Sequence, residues 1–174
     1  MKVKTIIVGN LQTNCYIIEK DNKVLIIDPG DDYLLIKEKL KNKEILAVLL
    51  THHHFDHVGA LDELVNHYNI KVYDSSNLKE GEKVIDPFKF NVILTKGHTS
   101  DSLTYYFVED KIMFTGDFLF KEEIGRCDLP TGNYNEMLKS IKNIKEYNKD
   151  ITIYPGHGET STLENEFKNN KYFT

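Results

Sequence analysis

Residues 51 to 57 read Thr-His-His-His-Phe-Asp-His, so His52, His54, Asp56 and His57 bring four potential metal ligands within six residues. Neutral imidazoles and a carboxylate are the donors that borderline divalent metals prefer. Crowded together without a cation, they would leave polar groups that nothing nearby satisfies. The chain is therefore expected to fold around a metal site. Further candidates follow one recurring arrangement, each placed after a short apolar run with strand character. Ala47-Val48-Leu49-Leu50 leads into the cluster, and Asn91 to Thr95 leads through Lys96-Gly97 to His98. Lys111 to Gly116 ends on Asp117, and Ile151 to Gly156 ends on His157. Strands sharing one edge would bring these four turns to one spot, with glycine beside the ligands allowing tight bends.

The rest of the chain supplies the scaffold. Strands are expected over residues 3–8, 14–19 and 23–28, with Asp21-Asn22 as a hairpin turn and Asp28-Pro29-Gly30 as a closing turn. Helical patterns cover 33–41, 60–68, 134–147 and 160–169, and short strands fall near 71–73, 84–85, 90–95, 103–108 and 112–115. Such interleaving favours an α/β fold with sheets inside and helices on the outer faces. A length of 174 residues suits one domain, residues 1–174. A net charge of −5 without a dense basic stripe argues against a nucleic-acid partner. Nowhere do about 18 apolar residues run together, and Met1 to Val8 lacks the apolar core of an export signal, so no membrane partner and a cytoplasmic location are expected. Cys15 and Cys127 are not at metal-finger or redox spacing; Cys15 reads as a small buried hydrophobe.

His-x-His-x-Asp-His, a His after Gly97, an Asp after Thr115-Gly116, and Pro155-Gly156-His157-Gly158 together resemble the metallo-β-lactamase superfamily along nearly the whole chain. Within it, Thr51 to Gly59 and Gly125-Arg126-Cys127-Asp128-Leu129-Pro130 resemble the small, single-domain glyoxalase II-like (hydroxyacylglutathione hydrolase-like) enzymes. The implied fold is a four-layer αββα sandwich of mixed sheets with the metals at one edge. The implied cofactors are two divalent ions, zinc first, with iron or manganese also compatible with such ligands. His52, His54 and His98 would hold one ion, Asp56, His57 and His157 the other, and Asp117 would bridge them. Charge left over after the two carboxylates, Asp56 and Asp117, would generate a bridging hydroxide as the nucleophile near neutral pH. The substrate so implied is a small-molecule thioester.

Other residues carry paired readings. Asp28 either orients a ligand imidazole from outside the ligand set or merely forms an Asx turn with Gly30. Thr51 and Thr115 could offer hydroxyls at the same place. Arg126, the one arginine among 22 Lys and Arg, either binds a substrate carboxylate or braces its loop through Asp128. His53 alternates away from its neighbours and reads as a non-ligand, and His67 as a solvent-facing helix residue. Two departures from the family, Ala60 after Gly59 and Ser100-Asp101 after Thr99, spare the ligands, and Asp101 adds a negative charge near the entrance. By the same resemblance, no counterpart is expected of the separate C-terminal helical domain that helps larger glyoxalase II enzymes bind glutathione. The alternatives to a thioester hydrolase are a mononuclear-iron persulfide dioxygenase and a non-catalytic metal-loaded binding module. Oligomeric state is not legible in these residues.

Overall fold

The computed structural model describes residues 1–173. Its first sheet is built from β1 (Lys2–Val8), β2 (Thr13–Lys20), β3 (Lys23–Ile27), β4 (Glu44–Leu49) and β5 (Lys71–Tyr73), in that spatial order. β1, β2 and β3 pair antiparallel through tight turns; β3, β4 and β5 run parallel. The parallel pairs need crossovers, and helices supply them: α1 (Tyr33–Lys39) joins β3 to β4, and α2 (Phe55–Val58) with α3 (Leu61–Tyr68) joins β4 to β5.

The second sheet contains β6 (Gly81–Ile85), β7 (Phe88–Leu94), β8 (Leu103–Phe107) and β9 (Ile112–Gly116). A small hairpin, β10 (Leu119–Phe120) with β11 (Glu123–Ile124), and helix α4 (Tyr134–Ile144) follow before β12 (Thr152–Pro155), β13 (Ser161–Thr162) and α5 (Leu163–Asn169). The order is β13-β12-β9-β8-β7-β6, with β12 parallel to β9 and the remaining pairs antiparallel. A short 3₁₀ turn, Lys171–Phe173, ends the described chain.

Four layers follow from period-two alternation, because successive strand side chains face opposite sides. In β3, Leu25 and Ile27 join Phe90, Tyr105 and Phe114 of the second sheet, while Val24 and Ile26 join Ile36 of α1 and Leu64 of α3. In β4, Ala47 and Leu49 face inward and Val48 outward. In the second sheet Phe114 faces the first sheet, whereas Met113 packs with Met137 and Ile141 of α4 and Leu163 of α5. Each sheet thus has apolar residues on both faces, and each such side chain contributes about 1.5–3 kcal/mol when fully buried. The result is the expected αββα sandwich.

Several boundaries differ from the sequence expectation. Helix 33–41 stops at Lys39, with Asn42 in the left-handed region, and helix 134–147 stops at Ile144, where tight three-residue turns take over. The expected helix 60–68 begins at Leu61 and is preceded by the separate turn α2. Residues 161–162 pair with β12 before α5 begins, with the Thr162 hydroxyl capping Asn165. Asp28 lies beyond β3 at φ 49.

Candidate metal centre

The C-terminal ends of β4, β9 and β12 open on the same edge. β4 delivers Thr51, His52 and His54, and α2 turns Asp56 and His57 inward one residue later. β9 ends in Gly116 and β12 in Pro155, one and two residues before Asp117 and His157. His98 comes from the loop between β7 and β8, anchored by α4: Ser140 Oγ donates to the Lys96 carbonyl (2.7 Å) and Asn133 N–H to the Gly97 carbonyl (2.8 Å).

All seven sequence candidates meet there. His52 Nε2 and His98 Nε2 lie 3.2 and 2.9 Å from His54 Nδ1, so three ring nitrogens converge on one point. Asp56, His57 and His157 form a second group: Asp56 Oδ2 is 3.5 Å from His57 Nε2 and 3.2 Å from His157 Nε2. Asp117 lies between, with Oδ1 3.3 Å from His57 Nε2 and Oδ2 3.5 Å from both His98 Nε2 and His157 Nε2. Each group offers its ligand atoms within 4.8 Å of one another.

Backbone close approach makes the convergence possible. A Cβ on Gly156 would stand 2.2 Å from Asp117 Oδ1 and 2.7 Å from His57 Cε1. On Gly116, at φ 50, it would stand 2.3 Å from Thr51 Oγ1. Only a glycine backbone fits at either position.

The outward Nδ1 atoms of His52, His57, His98 and His157 are engaged. Asp28 accepts from His57 Nδ1 (2.9 Å), from the Thr51 hydroxyl (2.6 Å) and from the Thr51 amide (2.8 Å). With its proton given to Asp28, Thr51 Oγ1 accepts from His52 Nδ1 at 3.0 Å. His98 Nδ1 donates to the Arg126 carbonyl (2.8 Å) and His157 Nδ1 to the Leu11 carbonyl (3.1 Å). These bonds turn the Nε2 atoms of His52, His57, His98 and His157 inward, while His54 presents Nδ1 instead.

That inward face fits a divalent cation. His57 Nε2 and Asp117 Oδ1 are buried and, among the described residues, without a hydrogen-bond partner. Orphaned buried atoms of this kind call for an ion. The electrostatics agree. Burial, then His57, drives the His52 pKa well below its ordinary value, and burial with His98 lowers that of His54. Burial opposes charge on His57 too, yet Asp28 and Asp117 outweigh it and raise that pKa to about 10; Asp117 and Asp56 similarly raise His157 to about 9. Burial raises the Asp56 and Asp117 carboxyls, but His157 and His57, with Thr13 at Asp56 and His52 at Asp117, together outweigh it and hold both well below the usual range. Neutral imidazoles, ionised carboxylates and a demand for positive charge between them are what divalent cations satisfy.

The remaining candidates separate cleanly. Asp28 bonds Thr51 and His57. The Thr115 hydroxyl donates instead to the Leu119 carbonyl, within its own turn. His53 faces away from the ligands and pairs with Asp101 and Asp74. His67 is exposed and Cys15 fully buried. Arg126 makes a two-pronged pair with Asp128, both contacts 2.7 Å, while lining the cavity above the ligands. Thr13, absent from the sequence candidates, donates its hydroxyl to Asp56 Oδ2 at 2.9 Å and bridges to His157. The carbonyls of Leu11 and Arg126 also escaped sequence reasoning, since a backbone acceptor leaves no mark in residue identity.

Comparison with known proteins agrees with this geometry. The model of the metallo-beta-lactamase superfamily matches residues 8–82 and 76–157. The probable metallo-hydrolase YqgX of Bacillus subtilis (strain 168) is 34% identical over 97% of this chain and 96% of its own. Hydroxyacylglutathione hydrolase GloC of Haemophilus influenzae is 30% identical over 99% of this chain and 98% of its own. The crystal structure of BLEG-1 B3 metallo-beta-lactamase superposes with a TM-score of 0.96 at 32% identity, covering 99% of this chain and 100% of that one. With these matches along almost its full length, the chain belongs to the metallo-beta-lactamase superfamily, as a metallo-hydrolase of that fold.

Proposed function

We propose that this protein is a binuclear metal-dependent hydrolase of small-molecule thioesters, of the hydroxyacylglutathione hydrolase type. The observation that carries the reading is the pair of ligand groups sharing Asp117 at the floor of a cavity of about 880 Å³. His52, His54 and His98 would hold one ion, Asp56, His57 and His157 the other, and Asp117 would touch both. Bound there, a divalent pair, zinc first by ligand chemistry, would polarise a carbonyl and lower the pKa of a water.

The protein's own groups do the rest. Asp28 and Thr51 keep the His57 and His52 nitrogens aimed inward, and Thr13 restrains the Asp56 carboxylate. Asp56 and Asp117 line the cavity as its reactive carboxylates, placed to orient a water and accept its hydrogen. No serine, cysteine or lysine nucleophile is required. The likeness to GloC, over nearly the whole of both chains, supports the thioester class. The likeness to BLEG-1 favours a second reading, hydrolysis of a strained lactam amide.

Elemental analysis of the isolated protein, followed by assay of the same samples against thioesters and a chromogenic cephalosporin, tests both. Near two metal ions per chain, thioester turnover abolished by chelation, and loss of both metal and nearly all turnover in Asp117→Ala are expected. One iron per chain with oxygen uptake on a persulfide, and intact thioesters, would overturn the reading.

A further inference from the structure

The mouth of the cavity has a chemistry that the ligand cluster does not explain. Leu11 and Phe55 line it with 54% and 75% of their surface exposed, unusual for large apolar side chains placed side by side with polar ligands. Phe120 lies against His157, ring centroids 6.2 Å apart, and the Leu11 carbonyl holds that same histidine. Leu129 and Pro130 line the cavity just after Arg126, whose carbonyl holds His98. Apolar side chains therefore accompany the ligands of both groups.

Polar groups at the mouth are turned on one another. The Arg126 fork is occupied by Asp128, and Asp101 is paired with His53. The Thr99 hydroxyl bonds Ser102 (2.7 Å), and the Thr131 hydroxyl accepts from the Ser100 amide (3.3 Å). A substrate carboxylate on the remaining edge of the Arg126 guanidinium would lie beside the Asp128 carboxylate, on an exposed group whose charge is already paired, and would gain little. What the mouth offers a ligand is apolar surface.

Building on the thioester reading above, we propose that the mouth selects thioesters whose acyl chain is apolar and whose thiol is uncharged, and disfavours thiols that carry carboxylates, such as glutathione. The probes are N-acetylcysteamine thioesters from acetyl to hexanoyl, with the glutathione thioesters of the same acids. For the neutral series, kcat/KM should rise roughly two- to fourfold per added methylene. The glutathione thioester of each acid should be at least about tenfold poorer. Phe55→Ala and Phe120→Ala should flatten the length dependence, and Asp128→Asn, which frees the Arg126 fork, should improve use of the glutathione series relative to the neutral one. A flat length dependence, or glutathione thioesters equal to or better than their neutral counterparts, would overturn the proposal.

Binding of hydrolysis-inert thioethers to the metal-loaded protein, S-hexyl-N-acetylcysteamine against S-hexylglutathione, separates the two layers of the argument. Tighter binding of the neutral thioether with no thioester turned over would sink the thioester reading and uphold the mouth's selectivity. Thioester turnover with tighter binding of S-hexylglutathione would do the reverse.

Discussion

One carboxylate, Asp28, governs two of the seven proposed ligands. It takes the His57 Nδ1 proton directly and reaches His52 through the Thr51 hydroxyl, so its loss would free both rings to rotate or change tautomer. Asp28→Ala should lower metal affinity 10- to 100-fold while leaving every ligand in place, as measured by competition with a chromophoric chelator. The pH dependence of metal uptake follows from the two histidines set among carboxylates. In the metal-free protein the pKa values of His57 and His157 rise to about 10 and about 9, above the unfolded value of about 6.5. Those protons stabilise the metal-free fold fully below about pH 6.5, and that contribution is lost as pH climbs through 9 and 10. A cation must displace them. Metal affinity should accordingly increase from pH 6 to pH 9, with protons released on loading, detected by calorimetry in buffers of different ionisation enthalpy.

At the scale of elements, the grip of α4 on the loop before His98 carries the clearest expectation. Gly97 lies at φ 141, and a Cβ there would fall 2.4 Å from the Met137 Cα. Gly97→Ala should push the loop off the helix and weaken the ion held by His52, His54 and His98 far more than its partner, seen as loss of about half the bound metal with folding retained by circular dichroism. Much of this level was legible in advance. Strands 3–8, 14–19 and 23–28 and the three runs ending at His52, Asp117 and His157 stand out because alternation and apolar runs are long enough to read. The helix Phe55–Val58 did not stand out, because four residues dominated by ligands show no apolar stripe. Neither did the β10–β11 hairpin, whose strands have two residues each. The seven ligand candidates were legible because each needs a particular side chain. Thr13 was not, since its hydroxyl reaches Asp56 from a strand 43 residues away in sequence.

For the whole molecule, the distribution of ligands between sheets matters most. Each three-residue group draws on both: His52 and His54 belong with the first sheet and His98 with the second, as do Asp56 and His57 with His157. An ion in either group would therefore link the two sheets at their shared edge. At a thousandfold excess over its dissociation constant a ligand stabilises by about 4 kcal/mol. Chelation should thus lower the Tm by roughly 10 °C, read by calorimetry; an unchanged Tm would argue against ions spanning the sheets.

The first sheet uses residues 2–73 and the second residues 81–162, with no strand exchanged between them. A ribosome emits the chain in that order. The leading half can shape its own layer, but it leaves the exit tunnel with every coordination shell unfinished, and even a late intermediate lacks His157. On the proposed ligand assignment, the ion of His52, His54 and His98 could be captured once residue 117 has emerged, whereas the ion of Asp56, His57 and His157 must wait for the last strand of the second sheet.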